Sequence, residues 1–563
     1  MASLYPKKIA GKTYYYLREI ARVDGRPKMV SERYLGSAAD IAAAIDARDA
    51  AIMPERTRHL AFGDVAAVWG MLRRLDLAGI VDRLVGARRG DAGASVGTYL
   101  ALATLNRVVD PCSKLAFADW WVGTAADRFT RIPARALDHR RFWDAMHAVT
   151  TSELAEIEQR VTARMIEVFG LDTSALALDM TNFATYLDTA NPHAPVAQRG
   201  KAKQKRADLR LVGLGLVVTR DGGIPLLSHT YPGNKPDVTQ FTTMIDALRA
   251  RHVQIGGDPT AITVVFDAGQ NSTANFAHLA EAGLHFVGSV PPSDCPDLLA
   301  LPAKARRPVD TNRFDQLTAL DTRREVYGQA RRVVLTHSPT LHAAQARGFA
   351  QTLAKTEARL SVLADTLARG RTRRPAAKVT AEIDQIVKDP WVKRVLTWQL
   401  SGDTPATFRL AWQVDEQAHA ALAEEVFGKR ILITDRDTWP VAEVVAAYRS
   451  QSEAEFGFRQ LKDPDVVSFS PMHHWTEHNI RVHTQTCVLA LMVAHLMRRQ
   501  AEQAGLHLSV RAILDQLAGI GETVLIYPST GGRPKARRML TETNPIQQHL
   551  IDIFDLNRWT PHS

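Results

Sequence analysis

The spacing of apolar residues divides the chain into stretches with different predicted structures. In residues 1–36, apolar and polar residues alternate around Asp24-Gly25, a typical hairpin-turn pair, and this pattern predicts short strands. From residue 38 to residue 170, apolar residues recur at intervals of three and four, which predicts helices throughout. The chain therefore opens with a small β-structured part, and a long helical part follows.

Buried strands are predicted after residue 170. One apolar run begins at Ala175 and contains Asp179 near its end, and a second, in AITVVFDAGQNS, ends at Asp267. The predicted order of elements is strand, strand, strand, helix, strand, helix, strand. This order matches a ribonuclease H-like sheet, in which acidic residues end the first and fourth strands and lie side by side. The predicted fold class is therefore α/β, a ribonuclease H-like mixed sheet flanked by helices.

The pattern breaks off after Val290 and resumes near residue 429. The intervening part contains a long polar helix and two strands, so we predict a large insertion between Asp267 and Glu455. The predicted organisation is a series of ranges: short strands and a helix (1–60), a helical and DNA-binding domain (61–170), the first part of the catalytic core (171–290), the insertion (291–428), the rest of the core (429–505) and a tail (506–563).

One predicted helix carries polar residues where a buried stripe would be apolar. Counted from Glu455, Tyr448 lies seven residues back, Gln451 four back, Arg459 four on and Lys462 seven on. On a helix these offsets fall on one face. A carboxylate flanked by cations suits metal ligation beside bound phosphates. The alternative is a solvated face with ion pairs between successive turns.

Composition adds a partner class. The 563 residues suggest three or four domains, and the formal charge of +10 with a pI of about 9.5 favours a polyanionic partner, most commonly nucleic acid. The three cysteines lie far apart, as in a reducing cytosol. We see no signal peptide, and no apolar run is long enough for a membrane span.

Two basic regions are candidates for phosphate contact. After the first acidic strand comes a basic run that suits either a phosphate backbone or plain solvation: Arg199, Lys201, Lys203, Lys205, Arg206 and Arg210. Near the N-terminus, Tyr14, Tyr15 and Tyr16 lie beside cations and could contact DNA, although aromatic packing on a small sheet is the plainer interpretation.

Several motifs together resemble a known family. They are DMT at 179–181, RADLR at 206–210, GIPL, GN, FDAGQNS, YRSQSEAEFGFRQLK and HHWTEHNIRVH. These resemble bacterial insertion-sequence transposases of the DDE type, and most closely the insertion-sequence-four superfamily. The family signature has Tyr, then Arg at +3, Glu at +7 and Lys at +14. Tyr448, Glu455 and Lys462 match, but Gln451 occupies the Arg position, for which Arg449, Arg459 or Arg481 could compensate.

The resemblance implies roles for individual residues. Asp179, Asp267 and Glu455 would be the ligands of two Mg²⁺ ions, for which Mn²⁺ can substitute. Lys462 would hold a DNA phosphate near the transposon end, and Tyr448 would contact the strand or pack against it. The remaining implied positions are Arg449 and Arg459 on DNA, with Thr181, Asn271, Gln451 and Arg481 supporting the site.

The function implied is that of a DNA transposase in the bacterial cytoplasm. It would bind terminal inverted repeats, cleave the ends and join the 3′-OH to target DNA, working as a homodimer on double-stranded DNA and without a membrane. Two alternatives stay open. A structure-specific nuclease on the same fold would cut without joining, and a non-catalytic DNA-binding relative would bind without cutting.

Overall fold

The structure is a computed structural model that describes residues 2–23, 26–86, 93–201, 208–254, 257–371, 373–528 and 535–561. The predicted turn at 24–25 lies outside these residues. The strands are β1 (Ala2–Ile9), β2 (Lys12–Val23), β3 (Arg26–Ser37), β4 (Arg56–Ala61), β5 (Ala175–Thr185), β6 (Arg210–Thr219), β7 (Pro225–Pro232), β8 (Thr263–Val265), β9 (His285–Val290), β10 (Arg307–Pro308), β11 (Thr318–Val326), β12 (Gln329–His337), β13 (Leu396–Ser401), β14 (Arg409–Val414), β15 (Lys429–Thr434), β16 (Gly521–Ile526) and β17 (Ala536–Leu540).

The helices follow the same chain order. They are α1 (Ala38–Ile52), α2 (Gly63–Arg74), α3 (Leu77–Val85), α4 (Val96–Val109), α5 (Phe117–Val122), α6 (Ala126–Thr130), α7 (His139–Ala148), α8 (Thr151–Phe169), α9 (Phe241–Gln254), α10 (Thr273–Ala282), α11 (Pro296–Leu299), α12 (Pro339–Ala368), α13 (Ala376–Ile386), α14 (Val392–Val395), α15 (Glu416–Val426), α16 (Val441–Arg449), α17 (Gln451–Leu461), α18 (Glu477–Gln503), α19 (Val510–Ala518) and α20 (Pro545–Ile553).

The central sheet has nine strands in the order β10-β11-β12-β15-β9-β8-β5-β6-β7. Strands β5, β6 and β7 form an antiparallel meander, β8 is parallel to β5, and β9 is parallel to β8. This arrangement of β5 to β9, the first five strands of the central sheet along the chain, is the ribonuclease H-like one, so the predicted fold class is confirmed. Strand β6 is buried along its whole length, as expected for a strand covered on both faces.

Part of the predicted insertion belongs to this sheet. Strands β10, β11 and β12 extend it antiparallel beyond β15. The rest of the insertion, from α12 to α15 with the β13-β14 hairpin, packs around a second hydrophobic core. The chain thus leaves the sheet after β12 and returns to it at β15.

The helical part is not separate from the sheet, because one continuous core includes residues of both. The long helix α18 lies at its centre and packs against α2, α4, α7, α8 and β7. By length and composition α18 could cross a membrane, but 89% of its apolar window is buried inside the protein, as in the core helix of a soluble protein. Strand β4 pairs with β16, which ties the start of the helical part to the C-terminal region.

Candidate active site

Two of the predicted acids lie on adjacent parallel strands. The register of β5 and β8 sets Ala177 opposite Val265. Two residues further along each chain come Asp179, within β5, and Asp267, just after β8. The register therefore places the backbone of these two residues at about the same height in neighbouring parts of the sheet. That their carboxyl groups lie side by side stays a prediction.

The local contacts of the two carboxylates differ. Oδ1 of Asp179, which is half-buried, accepts a hydrogen bond from the Met180 amide at 2.7 Å. Oδ1 of the exposed Asp267 accepts one from the Gly269 amide at 2.9 Å and so caps a short 3-10 turn. Capping is therefore one thing that Asp267 does, and it turns the chain away at the end of the strand.

Two side-chain hydrogen bonds connect the two ends of helix α17 to β5. Nε2 of Gln451 donates to the Leu178 carbonyl at 3.1 Å, and Nζ of Lys462 donates to Oγ1 of Thr181 at 2.9 Å. Leu178 and Thr181 stand on either side of Asp179 in the strand. Glu455 lies between the two fastening residues on the same helical face and is exposed. The third acid is thus presented from the element that packs on the strand of the first.

The carboxylates do not form a closed cluster. Among the residues that the structure describes, no group of three His, Cys, Asp or Glu side chains could hold a metal ion. The joint role of Asp179, Asp267 and Glu455 therefore stays a prediction.

The donor types nevertheless fit an oxygen-preferring cation. Besides the three carboxylates, Oε1 of Gln451 is buried and has no hydrogen-bond partner in the described part of the chain. A buried acceptor without a donor is costly, and a bound cation or its water would satisfy it. The glutamine at the family's arginine position thus leaves an unpaired oxygen on a residue that is hydrogen-bonded to β5.

Thr181 and Asn271 both support neighbouring elements. Thr181 is buried and positions the Lys462 ammonium, which also lies 5.4 Å from the centre of the Phe183 ring. Nδ2 of Asn271 donates to the Ser289 carbonyl at 2.8 Å and to the Tyr327 hydroxyl at 3.1 Å, which ties the loop after Asp267 to β9. These contacts hold the ends of two sheet strands in place.

The helix predicted over 448–462 is broken at Ser450. Helix α16 ends at Arg449 and α17 begins at Gln451, while the Ser450 hydroxyl donates to the Ala447 carbonyl at 2.6 Å. A serine that bonds back to the preceding turn disturbs the helical ladder. Tyr448 is therefore on a different helix from Glu455, so the predicted single stripe is wrong at that end.

Tyr448 and Arg449 instead line a basic cavity of about 520 Å³. The Arg430 guanidinium lies 5.1 Å from the centre of the Tyr448 ring, and that of Arg449 lies 4.6 Å from the Phe314 ring. Burial, and next the charge of Arg430, lower the pKa of Arg449. Two arginines are thus held on aromatic rings next to the break.

The predicted basic run has three different outcomes. Arg199 and Lys201 are exposed, and the Lys201 carbonyl accepts a hydrogen bond from Asn182 of β5. Lys203, Lys205 and Arg206 lie outside the described residues. Arg210 is only 7% exposed, and its guanidinium donates to backbone carbonyls of the preceding loop, those of Asp188, Asn191, Ala194 and Ala197. Arg210 therefore holds that loop and does not present its charge to a phosphate.

Two other predicted residues have more local surroundings. Arg459 is exposed, 5.7 Å from the Phe456 ring. Arg481 donates to Glu477, one turn earlier, and to the Thr230 carbonyl. Arg481 thus links α18 to β7 and does not replace the missing arginine of the signature.

Sequence reasoning missed an aromatic surface beyond the end of β5. Tyr186 is 52% exposed, and its ring lies 5.5 Å from that of His473. Trp475, two residues later, is 50% exposed, and Trp143 is 43% exposed and shares a cavity of about 140 Å³ with His473. These residues come from three distant parts of the sequence. They stand out because large aromatic side chains are exposed there, and exposure cannot be read from the sequence.

A cluster of basic side chains, several of them with lowered pKa values, lies beneath that surface. Burial, and next the charge of Arg107, lower the pKa of Lys114 to about 7. Burial lowers the pKa of His474 to about 3, and His474 in turn contacts His483 at 3.3 Å. His483 also bonds the Phe469 carbonyl. His474 and His483, which follow α17 in the chain, therefore contact each other and the backbone of the protein.

Comparison with known proteins places the chain in a class. The model of the family described as "Transposase DDE domain" matches residues 170–493, which is more than half of the chain. The protein belongs to this family of DNA-cleaving, strand-transferring enzymes and is a DDE transposase. The matched range contains the three predicted acids, Asp179, Asp267 and Glu455.

More specific relatives are distant. No curated protein matches the chain. Among solved structures, a similar one is the cryo-EM structure of the piggyBac transposase synaptic complex with hairpin DNA. It is 8% identical, with 83% of this chain and 82% of that chain covered and a TM-score of 0.37.

Proposed function

We propose that the protein is a bacterial transposase of the insertion-sequence-four superfamily, which acts in the cytoplasm on double-stranded DNA. It binds the terminal inverted repeats of its element, cleaves the phosphodiester bonds at their ends and joins the 3′-OH to target DNA. The observation that supports this proposal is the register that sets Ala177 opposite Val265, two residues before Asp179 and Asp267, with α17 hydrogen-bonded to β5.

Asp179, Asp267 and Glu455 would hold two Mg²⁺ ions, or Mn²⁺ in their place. Such ions activate the attacking oxygen and neutralise the leaving oxygen of a phosphodiester. The protein's own contribution is a set of carboxylates on a sheet and a helix, which are rigid elements.

Lys462 supplies a positive charge at a defined place. Its ammonium is held on Thr181, two residues beyond Asp179 along β5. A phosphate that approaches Asp179 would therefore meet a fixed cation on the same side of the strand. Arg459, one turn nearer to Glu455, extends the positive charge along the exposed face of α17.

The DNA strand would continue along β5 towards the exposed aromatic residues. Tyr186 follows the end of the strand, roughly 23 Å from Asp179 at the usual rise per residue. Lys201 lies next to this path, because its carbonyl accepts a hydrogen bond from Asn182 of β5. Aromatic rings such as Tyr186, Trp475 and Trp143 suit stacking on bases of an opened DNA end.

Joining two ends requires two copies of the site, so the working complex would be a homodimer that holds both transposon ends. A structure-specific nuclease would share the acids and differ in leaving the cut ends unjoined. A non-catalytic relative would bind DNA and not cut it.

Cleavage and strand transfer with labelled DNA test this proposal. The substrate is a duplex that carries the DNA flanking this reading frame, with Mg²⁺ and a supercoiled target plasmid. We expect the wild type to release the labelled end and join it to the plasmid, and Glu455→Gln to lose both activities by more than about 10³-fold. Glu502→Gln, at an exposed glutamate of α18, is the matched control and should keep both.

Three outcomes separate the candidate functions. Cleavage without joining would favour the nuclease, and binding without cleavage by the wild type would favour the non-catalytic relative. Cleavage by Glu455→Gln at the wild-type rate would remove Glu455 from the active site.

A further inference from the structure

The N-terminal sheet, β1-β2-β3, packs very little of its surface against other parts of the protein. Every residue of β1 is exposed, as is β3 up to Tyr34. Large apolar side chains that would normally seek a core lie in water, among them Leu4, Ile9, Ile20 and Met29. A surface of this kind marks an interaction site.

The register of the sheet gathers its tyrosines on one face. Tyr5 is opposite Tyr16, and Tyr16 is opposite Tyr34. Residues opposite each other point to the same side, and so does Tyr14, two positions before Tyr16. The ring centres of Tyr34 and Tyr16 are 5.2 Å apart, and those of Tyr34 and Tyr14 are 6.0 Å apart. We call this side the tyrosine face.

The same face is basic. Strand alternation and register place Lys7, Lys12, Arg18 and Arg22 on it, together with the carboxylate of Glu32, and Asp40 at the start of α1 lies near Tyr34. Arg18 is bound to Glu32 and stacks 3.5 Å from the centre of the Tyr5 ring, and Lys7 lies 5.7 Å from the Tyr16 ring. Lys7, Lys12 and Arg22 are exposed and have no ion pair with any described residue.

Charge is concentrated in this part of the chain. The first 37 residues contain eight Lys or Arg and three Asp or Glu, a net charge of +5 out of +10 for the whole protein. A second copy docked face to face would set these cations against each other, which charge complementarity forbids. A polyanion would relieve the repulsion.

The dimensions suit a duplex. The DNA major groove is about 12 Å wide and admits a two-stranded β-ribbon, and Lys7, Lys12 and Arg22 lie on two paired strands, β1 and β2, at a spacing of about 4.8 Å. Exposed tyrosines and flexible cations are the residue types that contact bases and phosphates.

We infer that the tyrosine face is a second, non-catalytic binding surface for double-stranded DNA, which recognises the duplex through Lys7, Lys12 and Arg22. This inference rests on the proposed function only in that the protein acts on DNA. It moves duplex recognition from the helical region 61–170, where the sequence suggested it, to the β-structured N-terminus.

The test is the salt dependence of binding by the full-length protein. A fluorescein-labelled duplex of 30 base pairs is titrated between 50 and 300 mM KCl, without divalent ions, and binding is followed by anisotropy. One variant carries Lys7→Gln, Lys12→Gln and Arg22→Gln. Its matched control removes the same number of exposed cations from the opposite face, by Lys8→Gln, Lys28→Gln and Arg33→Gln.

We expect the tyrosine-face variant to lower the slope of log K against log[salt] by about 2.7, because each lost phosphate contact removes about 0.9. Its affinity at 100 mM salt should fall by about 500-fold, three times the logarithmic loss of a single contact. The opposite-face control should change the slope by less than about 1. Tyr5→Ser with Tyr34→Ser should weaken binding at an unchanged slope, since the rings carry no charge.

Equal loss in both triple variants would overturn the inference, because charge alone and not the face would then matter. No loss in either would overturn it as well. Sedimentation of the wild type without DNA tests the rival occupant: a dimer that the Tyr5→Ser, Tyr34→Ser variant dissociates would assign the face to a second copy. Circular dichroism confirms that each variant is folded. Binding is measured without catalysis, so failure here leaves the cleavage result of Glu455→Gln unaffected.

Discussion

Lys462 offers the sharpest test of how the site meets DNA. Its ammonium lies 2.9 Å from Oγ1 of Thr181, which is two residues beyond Asp179. In Lys462→Gln the side chain keeps most of its length and loses its charge. If the ammonium holds one phosphate, the slope of log K against log[salt] should fall by about 0.9, which corresponds to about an eightfold loss of affinity at 0.1 M salt.

The effect on the chemical step should be larger. A fixed donor aimed at a phosphate that gains charge in the transition state contributes about 10²- to 10³-fold to the rate. We therefore expect single-turnover cleavage of end DNA by Lys462→Gln to slow by about 10²-fold or more at saturating DNA. Thr181→Val keeps the cation and removes its hydrogen bond to Oγ1, so its salt slope should match the wild type while its rate falls by about tenfold.

The assays are anisotropy without divalent ions and quenched-flow cleavage with Mg²⁺. Lys388→Gln, at an exposed lysine of the insertion, is the matched control and should leave the slope and the rate unchanged. A wild-type slope together with a wild-type rate in Lys462→Gln would refute the reasoning. A lower rate with an unchanged slope would mean that Lys462 merely braces β5 through Thr181.

Three further predictions concern residues that hold the site together. Glu158→Gln should lower the free energy of unfolding by about 3–5 kcal/mol, because the buried Arg251, 2.8 Å away, loses its counter-charge, and this can be measured by urea denaturation. Lys114 has its pKa lowered to about 7, so the native state prefers the neutral amine while the unfolded chain stays protonated up to its ordinary pKa of 10.5. The wild type should therefore gain stability relative to Lys114→Met between pH 7 and pH 10, by at most about 1.4 kcal/mol per pH unit, and a constant difference across that window would contradict the assignment. Arg210→Leu should speed hydrogen exchange in the loop 188–197 while the salt slope for DNA stays that of the wild type; a reduced slope would return Arg210 to the phosphate contacts.

The fold was largely predictable because strands buried on both faces read as continuous apolar runs. The order of those runs predicts the meander and the parallel strands that the sheet contains. The sheet extension by β10–β12 was not predictable. Antiparallel strands at the edge of a sheet look like those of an independent hairpin until their partner, β15, is known.

The candidate site shows a similar division. Helical spacing correctly placed Gln451 and Lys462 on the face of α17 that meets β5. Helical spacing wrongly placed Tyr448 on the same helix as Glu455. The helix is interrupted at Ser450, whose hydroxyl donates to the Ala447 carbonyl, and the sequence pattern does not show this interruption. The basic run wrongly suggested a phosphate contact for Arg210. The sequence does not distinguish an arginine that donates to backbone carbonyls from one that donates to phosphates.

The convergence of three carboxylates on divalent ions is the central claim, and anomalous diffraction tests it most directly. Crystals of the protein with end DNA are soaked in Mn²⁺, and an anomalous difference map is calculated at the manganese edge. We predict peaks within about 2.0–2.2 Å of carboxylate oxygens of Asp179, Asp267 and Glu455, and their loss in Asp179→Asn. Manganese bound elsewhere, with no peak between Asp179 and Asp267, would contradict the account.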